Sequence, residues 1–235
     1  MITRLLVPLA AVALLAACSG GGAAPGTGTA AGTGATGSSV AEPSPAVAQA
    51  SAEAAADPSR ATDARTAALA VALRAADLPQ GWSVQANPVP DESDISGNPS
   101  LAGICGGTFT SESHRTAKYP VVGLDPQRTP LVESEAISYD SAASAATALQ
   151  ELRAAFAHCT TEGQTVVAAP RVDGLAADSV VVEYELTGGL RQEVVAQARG
   201  AVLSVLLAED EATAAHAARS IAGRLAALPA AAVGA

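Results

Sequence analysis

The residues that could do chemistry are few and scattered. The histidines are His114, His158 and His216, and none stands three or four residues from another strong ligand in a metal-binding pattern. They read as solvated or partly packed imidazoles. Ser141, Ser144 and Ser179 fall at capping or strand positions, and no Gly-x-Ser-x-Gly elbow presents a hydrolase nucleophile. The glycines from Gly103 to Gly107 come without Gly-Lys-Ser/Thr, so no phosphate loop follows. Glu183 and Glu185 share one face of a strand, with Glu193 across a hairpin from them. Paired carboxylates do acid–base work when burial separates their pKa values. Here they alternate with an apolar face, so they are expected on a solvated outer one. Asp91, Glu92 and Asp94 lack the remainder of a calcium loop. The expectation is a non-enzymatic chain with no metal and no cofactor.

A softer signal is aromatic. The 235 residues hold one Trp, three Tyr and two Phe, and Trp82, Phe109, Tyr119 and Tyr139 all fall in one stretch. His114, Arg115 and Lys118, the only lysine, lie among them. Trp82, His114, Arg115, Tyr119 and Tyr139 are therefore the candidate ligand set. The plainer reading of the same aromatics is a small core. The formal charge of −10 argues against nucleic acid as a partner, because that affinity rests on clustered Lys and Arg facing phosphates.

The three cysteines are more informative. Met1–Arg4 carries one positive charge, and an apolar run of 13 residues follows from Leu5 to Ala17. That is too short for a bilayer core, which takes roughly 20 helical residues, and suits a secretory h-region. The run ends Leu15-Ala16-Ala17-Cys18, which resembles the lipobox of bacterial lipoproteins. The resemblance implies cleavage after residue 17 and a diacylglycerol on the Cys18 thiol. Two acyl chains give stable anchoring where one is marginal, so the membrane is the expected partner, met from its extracytoplasmic face. Cys105 and Cys159 remain. An exported chain meets an oxidising setting, and an even residual count suggests one disulfide between them. A metal site or a catalytic thiol are the rival readings, though neither cysteine has ligand partners at short spacing.

Residues 18–60 are Gly, Ala, Thr, Ser and Pro-rich and cannot bury enough apolar surface to offset ordering. They read as a flexible tether with a mean reach of about 35 Å. Residues 61–229 suit one globular domain, and 230–235 are expected to fray. Within the domain, Thr62–Ala76 reads as an alanine-rich helix, and Asn87–Gly107 as an irregular loop pinned by Cys105. Thr108–Tyr119 suggests one or two short strands. Leu131–Tyr139 is a strand. Ala145, Leu149, Leu152, Phe156 and Cys159 recur as one buried helical stripe. Thr165–Val172, Ser179–Thr187, Leu190–Arg199 and Ala201–Ala208 read as strands, the last three an antiparallel meander. A final helix follows, with Ala214, Ala218, Ile221, Leu225 and Leu228 inward. The predicted class is α+β, an antiparallel sheet with helices packed mainly on one face.

The lipobox, the tether, Leu78-Pro79-Gln80-Gly81-Trp82, the loop cysteine Cys105, and Tyr139-Asp140-Ser141-Ala142-Ala143-Ser144-Ala145 leading to a helix that ends in Cys159 form a set. It is similar to actinobacterial lipoproteins carrying a PknH-like extracellular sensor domain, over roughly residues 70–228. The resemblance implies a central antiparallel sheet, a cleft and a ligand-sensing or envelope-binding role. The best members of that family have two disulfides where this chain has cysteines for one. They often place Trp just before the helix cysteine, where this chain has Phe156-Ala157-His158. A Mog1/PsbP-like fold is the second resemblance, and it implies an accessory lipoprotein that binds another envelope protein.

Overall fold

The computed structural model describes residues 57–86, 99–101, 104–159 and 163–235. The expected leader, Cys18 and the tether as far as residue 56 lie outside the described residues, as do Asp91, Glu92, Asp94 and Gly103 of the irregular loop.

Among the described residues, seven strands form one sheet. They are β1 (Ser83–Ala86), β2 (Arg115–Leu124), β3 (Pro130–Tyr139), β4 (Gln164–Ala168), β5 (Asp178–Leu186), β6 (Arg191–Arg199) and β7 (Val202–Ala208). Every pairing is antiparallel, in the order β1-β2-β3-β7-β6-β5-β4. Two meanders meet at the centre, where β3 pairs β7 with Ala136 opposite Ser204 and Ile137 opposite Leu203. The helices are α1 (Ala64–Val71), α2 (Ala142–Ala157), α3 (Glu211–Ala227) and the short α4 (Ala230–Val233). α2 carries the chain from β3 to the far edge strand β4.

Strand alternation divides the core in two. On the first face, Val132, Ala136, Val202 and Leu206 pack against Ala67 and Val71 of α1 and Ala214, Ile221 and Leu225 of α3. On the second, Ile137, Tyr139, Val194 and Leu203 pack against the predicted α2 stripe Ala145, Leu149, Leu152 and Phe156. The antiparallel sheet with helices against it is thus the expected architecture. Two of the three long helices share one face, and α2 lies on the other.

Each of α1, α2 and α3 starts where a side chain satisfies one of its first free N–H groups. Asp63 accepts from the Thr66 N–H at 2.8 Å, Ser141 from the Ser144 N–H at 3.1 Å, and Asp210 from the Thr213 N–H at 2.7 Å. α1 is shorter than the predicted 62–76. It stops at Val71, and a separate 3-10 turn, Ala75–Asp77, follows because the Asp77 carboxylate takes the Arg74 N–H at 2.8 Å. The predicted short strands of 108–119 are corrected to a 3-10 turn, Thr110–His114, and a ten-residue β2. Among the described residues, β1 pairs with Val121–Leu124 and not with Pro120, whose missing N–H is tolerated at that end of the strand.

The tail is also corrected. Instead of fraying, Ala230–Val233 turns into α4, Val233 is buried, and its carbonyl accepts the Ala201 N–H at 2.7 Å. An apolar anchor and a backbone bond to the β6–β7 turn supply what composition alone did not reveal.

Candidate functional site

The sequence-predicted ligand set does not converge. Trp82 and Tyr119 pack against the first-face core. Tyr139 is buried in the second-face core, and burial pushes its hydroxyl well above the ordinary tyrosine range. Arg115 stands at the register position opposite Tyr139, with Nε donating to Glu112 Oε2 at 3.1 Å. His114 is exposed, with Nδ1 2.8 Å from Asp140 Oδ2. Of the five, Arg115 and Tyr139 face each other across β2 and β3, with Arg115 bound to Glu112 and Tyr139 held in the core. Lys118 is buried and pairs with Glu135 at 3.0 Å. Desolvation still holds the Glu135 carboxyl above its usual value, against the pull of that ammonium.

Cys105 and Cys159 form the expected disulfide, with Cα atoms 4.6 Å apart. It fastens the loop side of the domain to the end of α2, and polar contacts repeat the clamp. The Cys105 N–H donates to Gln164 Oε1 at 3.2 Å. Glu112 Oε1 accepts the N–H groups of Ser100 and Leu101, both at 3.1 Å. Glu151 on α2 accepts from the Thr110 and Ser111 hydroxyls, each at 2.6 Å. Partial burial would raise the Glu151 carboxyl, but these hydrogen bonds, Ser111 first, outweigh it and hold it low.

The acidic strand face is not solvated as predicted. Glu193 lies opposite both Glu183 and Ala208, on the face that carries α3, and is only 3% exposed. The reason is topological: β6 sits inside the sheet, and the start of α3 closes over it. Arg191 binds the neighbouring carboxylates instead, reaching Glu183 at 3.1 Å and Glu185 at 3.3 Å. Glu193 Oε1 finds no hydrogen-bond partner among the described residues. Burial, then Glu211, Glu183 and Asp210, push its carboxyl up to about 7. Among the described residues, no group of His, Cys, Asp and Glu is arranged to hold a metal ion.

A cavity of about 320 Å³ opens elsewhere, beside α2. One wall is a second stripe of that helix: Ala142, Ala146, Leu149, Gln150 and Arg153. Steps of 4, 3, 1 and 3 put these on one side, next to the core stripe. The facing wall combines Asp178 at the start of β5, Ala198 near the end of β6, Gly200 in the β6–β7 turn, and Gly234 beyond α4. The space exists because most of these side chains are small. Gly200 is itself required, since its φ is +54° and a Cβ there would collide with the Val233 carbonyl. The Arg153 guanidinium donates through Nη2 to the Ser179 carbonyl at 3.1 Å, which fixes it next to Asp178 in the chain. Sequence reasoning missed this cavity. The small-residue stripe of α2 was its one legible trace.

No protein-family model matches the chain, and no curated protein matches it. Among solved structures, the chain is similar to the extracellular domain of PknH from Mycobacterium tuberculosis. The likeness covers 61% of this chain and 77% of that one, at 14% identity and a TM-score of 0.40. Among the described residues, no helix is long and apolar enough to cross a membrane.

Proposed function

We propose that this is an exported, lipid-anchored cell-envelope lipoprotein whose domain is a non-enzymatic sensor that binds a small molecule or an envelope component. The observation that carries the reading is the Cys105–Cys159 disulfide. Structural disulfides persist in oxidising compartments. This one uses every cysteine of the chain except the one that ends Leu15-Ala16-Ala17-Cys18. A diacylated Cys18 holds the protein on the outer face, and an anionic chain gains no help from anionic headgroups, so the lipid does the anchoring. The cavity beside α2 supports a ligand-binding role, because about 320 Å³ is within the range of small-molecule sites.

Cys18→Ala tests the anchor: the variant is expected in the soluble extracytoplasmic fraction, and unchanged retention in the membrane fraction overturns it. Thermal unfolding of the full chain with and without small-molecule envelope extract tests the ligand. Saturating ligand raises Tm by mass action. A rise of several degrees is expected, and an unchanged Tm overturns the sensor role.

A further inference from the structure

The cavity is lined by two opposite charges, Arg153 and Asp178. Both are exposed, and among the described residues neither takes part in an ion pair. They are held near each other, because Arg153 is bonded to the carbonyl of Ser179. That bond uses one of the five guanidinium N–H donors, and the others remain for a ligand. Apart from Gln150, the rest of the α2 and β6 lining is apolar: Ala142, Ala146, Leu149 and Ala198.

We infer that this cavity is the ligand site of the sensor domain and takes a small zwitterion of the α-amino acid class, an assignment that rests on the ligand-binding reading above. A purely anionic ligand would satisfy Arg153 and meet Asp178 as a like charge. A purely cationic one would do the reverse. A neutral ligand would cover both charges and pair neither, at a desolvation cost. A carboxylate and an ammonium on one carbon answer both, the carboxylate on the guanidinium and the ammonium on Asp178. The small side chains of the floor leave room for one short apolar substituent. The cavity volume suits a single amino acid or a dipeptide and excludes a long peptide. The far wall is already built, since α4 is docked on the β6–β7 turn through the Val233 carbonyl. Little ordering cost is left for binding.

Isothermal titration calorimetry of the detergent-solubilised full chain tests this with four probes: L-leucine, N-acetyl-L-leucine, L-leucinamide and succinate. L-Leucine is expected to bind, and the acetylated and amidated forms to bind at least tenfold more weakly, as does succinate. Arg153→Gln and Asp178→Asn should each weaken L-leucine at least tenfold with Tm unchanged, because both side chains are exposed. Ala146→Leu, which keeps both charges and fills the space, should abolish binding. No heat from L-leucine, equal binding of a blocked form, or full binding to the variants overturns the assignment. An envelope-extract Tm rise that survives in all three variants removes this site while leaving the sensor reading intact. An extract without effect removes that reading itself.

Discussion

The two faces of the sheet are closed by different physics. On the second face, an irregular segment is fastened to α2 by a covalent bond, Cys105–Cys159, with the Glu151 hydrogen bonds beside it. On the first face, the turn Ala75–Asp77 is fastened to α3 by charge. Arg224 meets Asp77 through two parallel bonds of 2.7 and 2.6 Å, and Asp77 is buried. Further polar straps join β6 to α3. Gln197 Nε2 donates to the Ala218 carbonyl at 2.9 Å, and Arg199 reaches the carbonyls of Leu225 and Ala226 at the helix C-terminus. A cation there also meets the negative end of the helix dipole. The covalent clamp depends on the redox setting and is indifferent to salt. The ionic one is indifferent to redox.

Removing each clamp in turn is the sharpest way to separate the faces. The largest effect is expected from Cys105→Ser with Cys159→Ser. The disulfide closes a loop of 54 residues, and loop-closure entropy puts its loss at about 4 kcal/mol. Urea unfolding of the variant, or of the reduced chain, should show a correspondingly lower midpoint. A change below about 1 kcal/mol would mean that the Glu112 and Glu151 contacts hold the segment unaided. Asp77→Ala comes next. It leaves the Arg224 guanidinium, itself only 13% exposed, without its carboxylate, and stranding one member of a buried pair costs about 3 kcal/mol. Asp77→Ala should also abolish any salt dependence of the midpoint that the pair contributes. An Asp77→Ala loss of the same size in the parent and in the disulfide variant would show that the two clamps act independently.

These clamps also mark what the sequence could reveal. The α2 stripe, the strand alternation of β3 and β5, and the pairing of two leftover cysteines are local or combinatorial signals, and the structure contains all three. The Asp77–Arg224 pair is 147 residues apart in the chain, and no periodicity announces it. The cavity is hidden for the same reason: α2 writes one wall in a readable stripe, but Asp178, Ala198 and Gly200 come from strands and a turn that only the topology brings to it. The candidate aromatics were close in sequence, yet adjacent strand positions point to opposite faces. Tyr119 and Tyr139 therefore end in different cores. For Glu183, Glu185 and Glu193 the alternation correctly puts them on one face. What covers that face is set by the path of α3, which is not written in the strand.

Glu193 gives the smallest effect and the most specific test of the first face, because among the described residues its carboxylate is buried there and takes part in no ion pair. Asp77 is gripped by Arg224, and Glu183 and Glu185 by Arg191, but Glu193 Oε1 is buried without a partner. Its folded pKa of about 7 exceeds the ordinary 4.5. Below about pH 4.5 the group is protonated in both states and contributes no pH dependence. Between there and about pH 7 the folded chain keeps a proton that the unfolded chain has released, so stability falls as pH rises. Above about pH 7 the full penalty is present, on the order of 1 to 2 kcal/mol after allowance for solvent near the helix start. Glu193→Gln removes the titration. The variant should match the parent near pH 4.5 and exceed it by that amount at pH 8, read as urea midpoints at the two values. A parent whose midpoint does not fall across that range would mean that Glu193 is compensated, and that the first face is as fully paired as its neighbouring carboxylates.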